Sequence, residues 1–253
     1  MVTTRATSRA ASAGPEDSSP SPELHPITPS TTRRRAPRSS ANTTKKRRSI
    51  VDQTATWRHK PSTTTVLWLA ISLPLVIWDT VYILLRPRTM PGGNLHWPLW
   101  VPYELYGQVD HIYGWKAYNA KNGFSGAQGF LNAVETLMYL VYLYLLWRRA
   151  NPSSTEGVMR RSLTGRSGAL AVLVGFSAAV MTLSKTVLYW ANEYFSGFDN
   201  IAHNAPLDLF TLWVIPNGFW LVLPTYMIWA FGNNILDGLA LASGHSAEIK
   251  HLE

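Results

Sequence analysis

Two acidic residues stand inside long apolar stretches of this chain. Glu135 lies deep in the stretch 124–147, and Asp79 lies about two turns from the end of the stretch 65–85. A charged side chain at mid-membrane costs at least about 2.5–3.5 kcal/mol, so such residues are candidates for function. Glu135 is the stronger candidate because its carboxyl group lies too deep to reach the membrane interface easily.

Polar and aromatic residues recur at helical spacing in two of the apolar stretches. Gln128, Asn132 and Glu135 follow i, i+4 and i+7 and therefore share one helix face. A stripe in the stretch 206–232 consists of Trp213, Asn217, Trp220 and Pro224. If the two stripes face each other, they enclose a cavity with aromatic walls and a few polar groups, the usual form of a small-molecule site.

Each of these residues also has a structural interpretation. Polar side chains such as Asn132 and Gln128 join membrane helices by hydrogen bonds worth about 0.6 kcal/mol each. Glu135 would pair with Lys185 in the third stretch, and Trp213 would pack in the core. His111 and His203 lie in loops without metal-ligand spacing, so we expect no metal and no cofactor.

Four stretches are long and apolar enough to cross a hydrocarbon core, which requires about 20 residues. They are residues 65–85, 124–147, 168–190 and 206–232. Five Lys and Arg residues lie in segment 148–167 and none in 191–205, which places the former in the cytoplasm. With four spans, both termini are then cytoplasmic. The loop 86–123 lies on the other side, and its Pro, Gly, Trp and Tyr content suggests an ordered cap.

Residues 1–62 differ in composition from the rest of the chain. They are rich in Ser, Thr, Pro and Arg, and they hold twelve of the 23 basic residues behind the net charge of +8. We predict a disordered basic tail whose charges face anionic lipid rather than nucleic acid. The fold class is an all-α membrane protein, a four-transmembrane-helix bundle over residues 63–235 with a short cytoplasmic tail at 236–253. Cysteine is absent, which excludes disulfides and thiolate chemistry.

The spans resemble the EXPERA superfamily, which contains the sterol delta-8 to delta-7 isomerase called emopamil-binding protein and the sigma-2 receptor. The resemblance covers about residues 66–232. It depends on the motifs Asn132-Ala133-Val134-Glu135-Thr136, Thr186-Val187-Leu188-Tyr189-Trp190 and Asn217-Gly218-Phe219-Trp220-Leu221-Val222-Leu223-Pro224. Asp110-His111-Ile112-Tyr113 is similar to the family's Asp-Ser-Arg-Tyr. Pro74 stands near a family histidine, and Pro74 followed by Asp79 looks more like the sigma-2 receptor.

The resemblance implies roles for individual residues. Glu135 would be the acid at the reacting double bond, Asp79 the second acid and Trp220 the aromatic wall that shields a carbocation. Asn217 would orient the acid or a polar group of the substrate. The substrate-binding residues that we assign are Asn217, Asn132, Gln128, Trp213 and Tyr189.

Two functions from different classes follow. The first is an isomerase that shifts a ring double bond in a sterol or terpenoid through a carbocation. The second is a non-catalytic protein that binds sterols or amphiphilic amines and regulates lipid traffic, because an acidic pocket with an aromatic wall binds a protonated amine without chemistry. The resemblance implies the endoplasmic reticulum membrane, and the sequence leaves open whether the chain forms a homodimer.

Overall fold

The computed structural model describes residues 56–149 and 161–243, which are mostly helical. Four helices are long and apolar enough to cross a membrane, as the sequence predicted. They are α1 (Thr63–Leu84), α4 (Phe124–Arg149), α5 (Gly165–Phe195) and α6 (Pro206–Ala242), and two short helices, α2 (Pro102–Val109) and α3 (Trp115–Asn119), lie between the first two of them. Of the tail predicted for residues 1–62, residues 1–55 lie outside the described residues.

The first long helix begins and ends at residues with a clear local role. The hydroxyl of Ser62 caps its start by accepting a hydrogen bond from the Thr65 amide at 3.0 Å. Pro87 follows the end of the helix, and the residue before a proline is disfavoured in helical conformation. Pro74 lies inside α1 and removes one backbone hydrogen bond from it.

The long helices pack in chain order, α4 on α1, α5 on α4 and α6 on α5. Small residues on α5 permit close approach, as at Gly175, where an added Cβ would lie 2.7 Å from the Phe231 ring of α6. Contacts between α1 and α6 are few and include an edge-on pair of Trp68 and Trp220, with ring centroids 5.1 Å apart. The cavity described below has walls from all four helices.

A short segment before α1 is ordered, which corrects the predicted tail boundary at residue 62. Strand β1 (Arg58–His59) pairs antiparallel with β2 (Leu163–Thr164), which precedes α5. His59 is buried between Asn234 and the Tyr142 hydroxyl, and Trp57 donates from its indole nitrogen to the Asn234 carbonyl at 2.9 Å. Composition does not reveal these contacts because they join residues far apart in sequence. We call residues 56–62 the strap.

The connection between α1 and α4 forms an ordered cap, as its composition suggested. We define the cap as residues 85–123, which include α2 and α3. Several hydrogen bonds join the cap to the loop between α5 and α6, including the His111 amide to the Asn200 carbonyl at 3.2 Å and the Asn204 side chain to the Val109 carbonyl at 2.7 Å. The cap therefore lies at the end of the bundle where α1 and α5 finish and α4 and α6 begin.

The last long helix differs from its predicted form in two ways. It contains a π-helical segment, Leu209–Val214, before regular α-helix resumes at Ile215. It also continues as helix to Ala242, beyond the limit of 232 predicted for the apolar span, so residues 236–242 of the predicted tail are helical; residues 244–253 lie outside the described part. The helix after residue 232 is more polar, with Asn233, Asn234 and Asp237, so hydropathy ends before the helix does.

Candidate functional site

The described residues line a half-open cavity of about 410 Å³ beneath the cap. This volume lies within the range of about 300–1,000 Å³ typical of small-molecule sites. All four long helices and the cap contribute to its wall, which is mainly aromatic and aliphatic. The lining residues are Leu75, Val76, Trp78, Asp79, Pro102, Tyr103, Leu105, Tyr106, Val109, Tyr113, Gln128, Asn132, Lys185, Thr186, Tyr189, Leu212, Pro216, Asn217 and Trp220.

Of the described residues that line the cavity, Asp79 is the one that carries a carboxylate. The Tyr103 hydroxyl donates to its Oδ1 at 2.8 Å, and the Asn132 side-chain amide donates to its Oδ2 at 2.9 Å. Burial raises the pKa of Tyr103 far above its ordinary value, and the nearby Asp79 raises it further, so the phenol remains a donor. The structure therefore joins the predicted second acid to a predicted binding residue, Asn132, and to the cap.

Glu135 lies behind this wall and is not among the residues that line the cavity. It is buried, and the Lys185 ammonium donates to its Oε2 at 2.8 Å. Lys185 also donates to the Asn132 Oδ1 and is itself part of the cavity wall. The ion pair that we weighed as the structural interpretation of Glu135 is present. A chain of hydrogen bonds thus runs from Glu135 through Lys185 and Asn132 to Asp79.

A second polar cluster joins the cap to the bundle at the capped end of the cavity. Asp110 accepts hydrogen bonds from the Tyr189 hydroxyl, from the Trp213 indole nitrogen at 2.9 Å and from the Ile112 amide at 3.0 Å. Burial raises the pKa of the Asp110 carboxyl to about 6, because the loss of hydration outweighs these three donors. Asp110 therefore holds α5 and α6 against the cap through the two aromatic side chains.

The site residues predicted on α5 and α6 fall into two groups. Trp220, Tyr189 and Asn217 line the cavity, whereas Trp213 is buried next to it and is not in its wall. The Asn217 side chain donates to the Trp213 backbone carbonyl, one turn earlier on α6, at 2.8 Å. The second-helix stripe points inward as expected, since Asn132 and Glu135 are buried and Gln128 lines the cavity.

Sequence reasoning missed the contribution of the cap. Tyr103, Tyr106 and Tyr113 all line the cavity, and the rings of Tyr82 and Tyr103 stack with centroids 3.8 Å apart. The high aromatic content of residues 86–123 was a signal of order, but it carried no helical period that would point these side chains toward Asp79. Tyr113 belongs to the motif Asp110-His111-Ile112-Tyr113, which the resemblance had already singled out.

No protein-family model matches this chain, and neither a curated protein nor a solved structure is detectably similar to it. The functional conclusion therefore depends on the geometry of the cavity.

Proposed function

We propose that this chain binds a rigid, mostly apolar amphiphile of the sterol, terpenoid or amphiphilic-amine class within a membrane-embedded bundle. The observation that carries the proposal is the position of Asp79 in an otherwise largely aromatic and aliphatic cavity. A carboxylate inside an apolar span is costly even where, as here, two side chains donate to it, and such a residue is a candidate for function by default. A ligand with an apolar body and one cationic or polar group is complementary to such a wall.

The arrangement of charges favours binding over direct catalysis by Glu135. Glu135 is engaged with Lys185 behind the wall, so a ligand in the cavity meets Asp79 before it meets Glu135. A protonated amine beside Asp79 would gain a charge-assisted hydrogen bond, worth about 1.5–3 kcal/mol. The indole of Trp220 and the phenols of the cap offer faces for cation-π contact.

Ligand binding to purified protein in lipid nanodiscs tests this proposal. Tritiated cholesterol and a tritiated amphiphilic amine would be titrated against the wild type, Asp79→Asn and the control Asp208→Asn, which changes an exposed acid at the start of α6. We expect Asp79→Asn to weaken amine binding about 10- to 100-fold and the control to leave it unchanged. Absence of saturable binding of both ligands to the wild type would overturn the proposal.

A second candidate function, isomerisation of a ring double bond, is favoured by the chain of hydrogen bonds from Asp79 to Glu135. Moving a double bond requires a proton delivered at one carbon and removed at another. Asp79 and Lys185 both reach the cavity wall, and Asn132 connects them. In this mechanism the Asp79 carboxyl delivers its proton to one carbon of the double bond, and the resulting carboxylate then removes a proton from a carbon next to the cation, which restores the acid. Glu135 keeps Lys185 charged, and Trp220 shields the cation.

Turnover separates the two candidates. Microsomes containing the protein would be incubated with a delta-8 sterol and the products analysed by mass spectrometry. An isomerase converts the substrate, and both Asp79→Asn and Glu135→Gln abolish conversion while the protein stays folded. Binding of sterols or terpenoids without conversion of any member of a panel would contradict the isomerase and support the binding function.

Membership of the EXPERA superfamily and residence in the endoplasmic reticulum belong to the same proposal. Support comes from the motif residues Tyr189, Asn217 and Trp220, which meet in one cavity with Asp79. A fluorescent fusion that sorts to another membrane would contradict the proposed location.

A further inference from the structure

The cavity ends at Trp220 on the side away from the cap. Of the α6 residues that line the cavity, Trp220 lies furthest along the helix, about 20 Å from its capped end at 1.5 Å per residue. On the same scale, Asp79 lies about 8 Å from the capped end of α1. The carboxylate and the indole therefore lie toward opposite ends of the cavity.

The other side of the Trp220 ring packs against the apolar core. Trp220 is partly buried and contacts the cluster that fills the bundle on the side of the strap, which includes Trp68, Leu69 and Leu73 of α1. These three residues are buried and lie outside the cavity wall. The Trp220 indole is thus the floor that separates the cavity from the core.

Trp68 supports this floor from α1. Its ring meets the Trp220 ring edge to face, with centroids 5.1 Å apart and an angle of 73° between the ring planes, which is a favoured arrangement for two aromatic rings. The contacts between α1 and α6 are otherwise few. Because Trp68 stands directly behind it, the Trp220 indole has no room to move toward the strap.

We infer that Trp68 is a positioning residue that acts through Trp220 to limit the length of the apolar body of the ligand. The inference rests on the proposed binding function and adds to it the orientation and the size limit of the ligand. A cationic group held by Asp79 directs the apolar body away from the cap, so the far end of the body meets Trp220. The phenols of the cap are then the aromatic faces nearest the cation.

The size limit follows from close packing. A body too long for the space between Asp79 and Trp220 presses on an indole that cannot retreat, and overpacking of this kind is unfavourable. If Trp68 is removed, the Trp220 ring can turn into the vacated space, and the cavity becomes longer. The change therefore favours a long ligand over a short one.

Two amines that share a rigid ring system but differ in length test the inference. Binding of 3-aminoandrostane, which has no side chain on its last ring, and of 3-aminocholestane, which carries a branched alkyl chain there, would be measured in nanodiscs. For Trp68→Ala we expect the ratio of the affinity of the long amine to that of the short amine to rise about tenfold over the wild type. Comparison of this ratio between variants cancels the partition of each amine into the bilayer.

Three other variants serve as controls. Trp68→Phe keeps a ring beside Trp220 and should keep most of the wild-type ratio. Trp147→Ala removes a tryptophan of α4 that is 64% exposed and should leave both affinities unchanged. Trp68→Leu removes the ring but keeps a large apolar side chain and should raise the ratio about threefold, which decides the matter should the alanine variant fail to fold.

A role of Trp68 in stability alone would weaken the binding of both amines by the same factor. An unchanged ratio in the folded alanine or leucine variant would therefore overturn the inference while the binding function stands. A wild type that binds neither amine saturably would overturn both.

Discussion

At the scale of single residues, Lys185 connects Glu135 and Asp79, the two acids that lie inside the apolar helices. Its ammonium donates to Glu135 at 2.8 Å and to Asn132, which in turn donates to Asp79. A buried ion pair adds little net stability, because the loss of hydration of both charges offsets their attraction. Removal of one partner is nevertheless costly, because it leaves the other charge buried and unpaired. Glu135 therefore depends on Lys185 for its place in the bundle.

We predict that Lys185→Met destabilises the protein by roughly 3–5 kcal/mol, because it leaves the Glu135 carboxylate unpaired. The double variant Lys185→Met with Glu135→Gln should recover most of this loss, since it removes both charges. Unfolding of the purified protein by titration with a denaturing detergent would measure the difference. Equal stability of the single and double variants would contradict the unpaired Glu135 carboxylate as the cause of the loss.

At the scale of elements, the strap closes the end of the bundle opposite the cap. An added Cβ at Gly168 would lie 2.9 Å from the Trp57 ring, and one at Gly238 would lie 3.2 Å from its indole nitrogen. Two glycines on different helices thus make room for one indole. Trp57 therefore links α5 to α6, and His59 links α4 to α6 through its hydrogen bonds with Tyr142 and Asn234. Burial lowers the pKa of His59, so the neutral ring is favoured.

We predict that Trp57→Ala lowers stability by roughly 2–3 kcal/mol, less than the about 3–5 kcal/mol of a fully buried aromatic because Trp57 is only partly buried. Trp229→Ala is the matched control, since Trp229 is 63% exposed on α6 and should change stability little. The same detergent titration would compare the two variants. A larger loss for Trp229→Ala would contradict the role of the strap.

At the scale of the whole molecule, the distribution of basic residues predicts which side of the membrane each end of the bundle faces. The strap end carries Arg148, Arg149, Arg161 and Arg166, and positively charged loops remain in the cytoplasm. We therefore predict that the cap end faces the opposite compartment.

Because the chain has no cysteine, single cysteines can report this orientation without background. We predict that Ser154→Cys, between α4 and β2, reacts with a membrane-impermeant maleimide in sealed microsomes. Asn122→Cys, an exposed position of the cap, should react only after the membrane is permeabilised. Reversed labelling would contradict the predicted orientation. Labelling of both sites from the same side would show that α4, which lies between them, does not cross the membrane.

The sequence by itself determined the four long apolar helices, their approximate limits and the inward face of α4. These follow from local properties, since hydropathy over about 20 residues and a helical period are visible in one stretch at a time. It also singled out Asp79, Asn132, Gln128, Asn217, Trp220 and Tyr189, all of which reach one cavity.

Only the tertiary structure decided which acid faces that cavity. The sequence favoured Glu135 because it lies deeper in its span, yet Asp79 lines the cavity, while Lys185 from a third helix pairs with Glu135 behind the wall. The tyrosines of the cap and the contacts of the strap join residues far apart in sequence, so their positions depend on how the chain packs rather than on any local pattern.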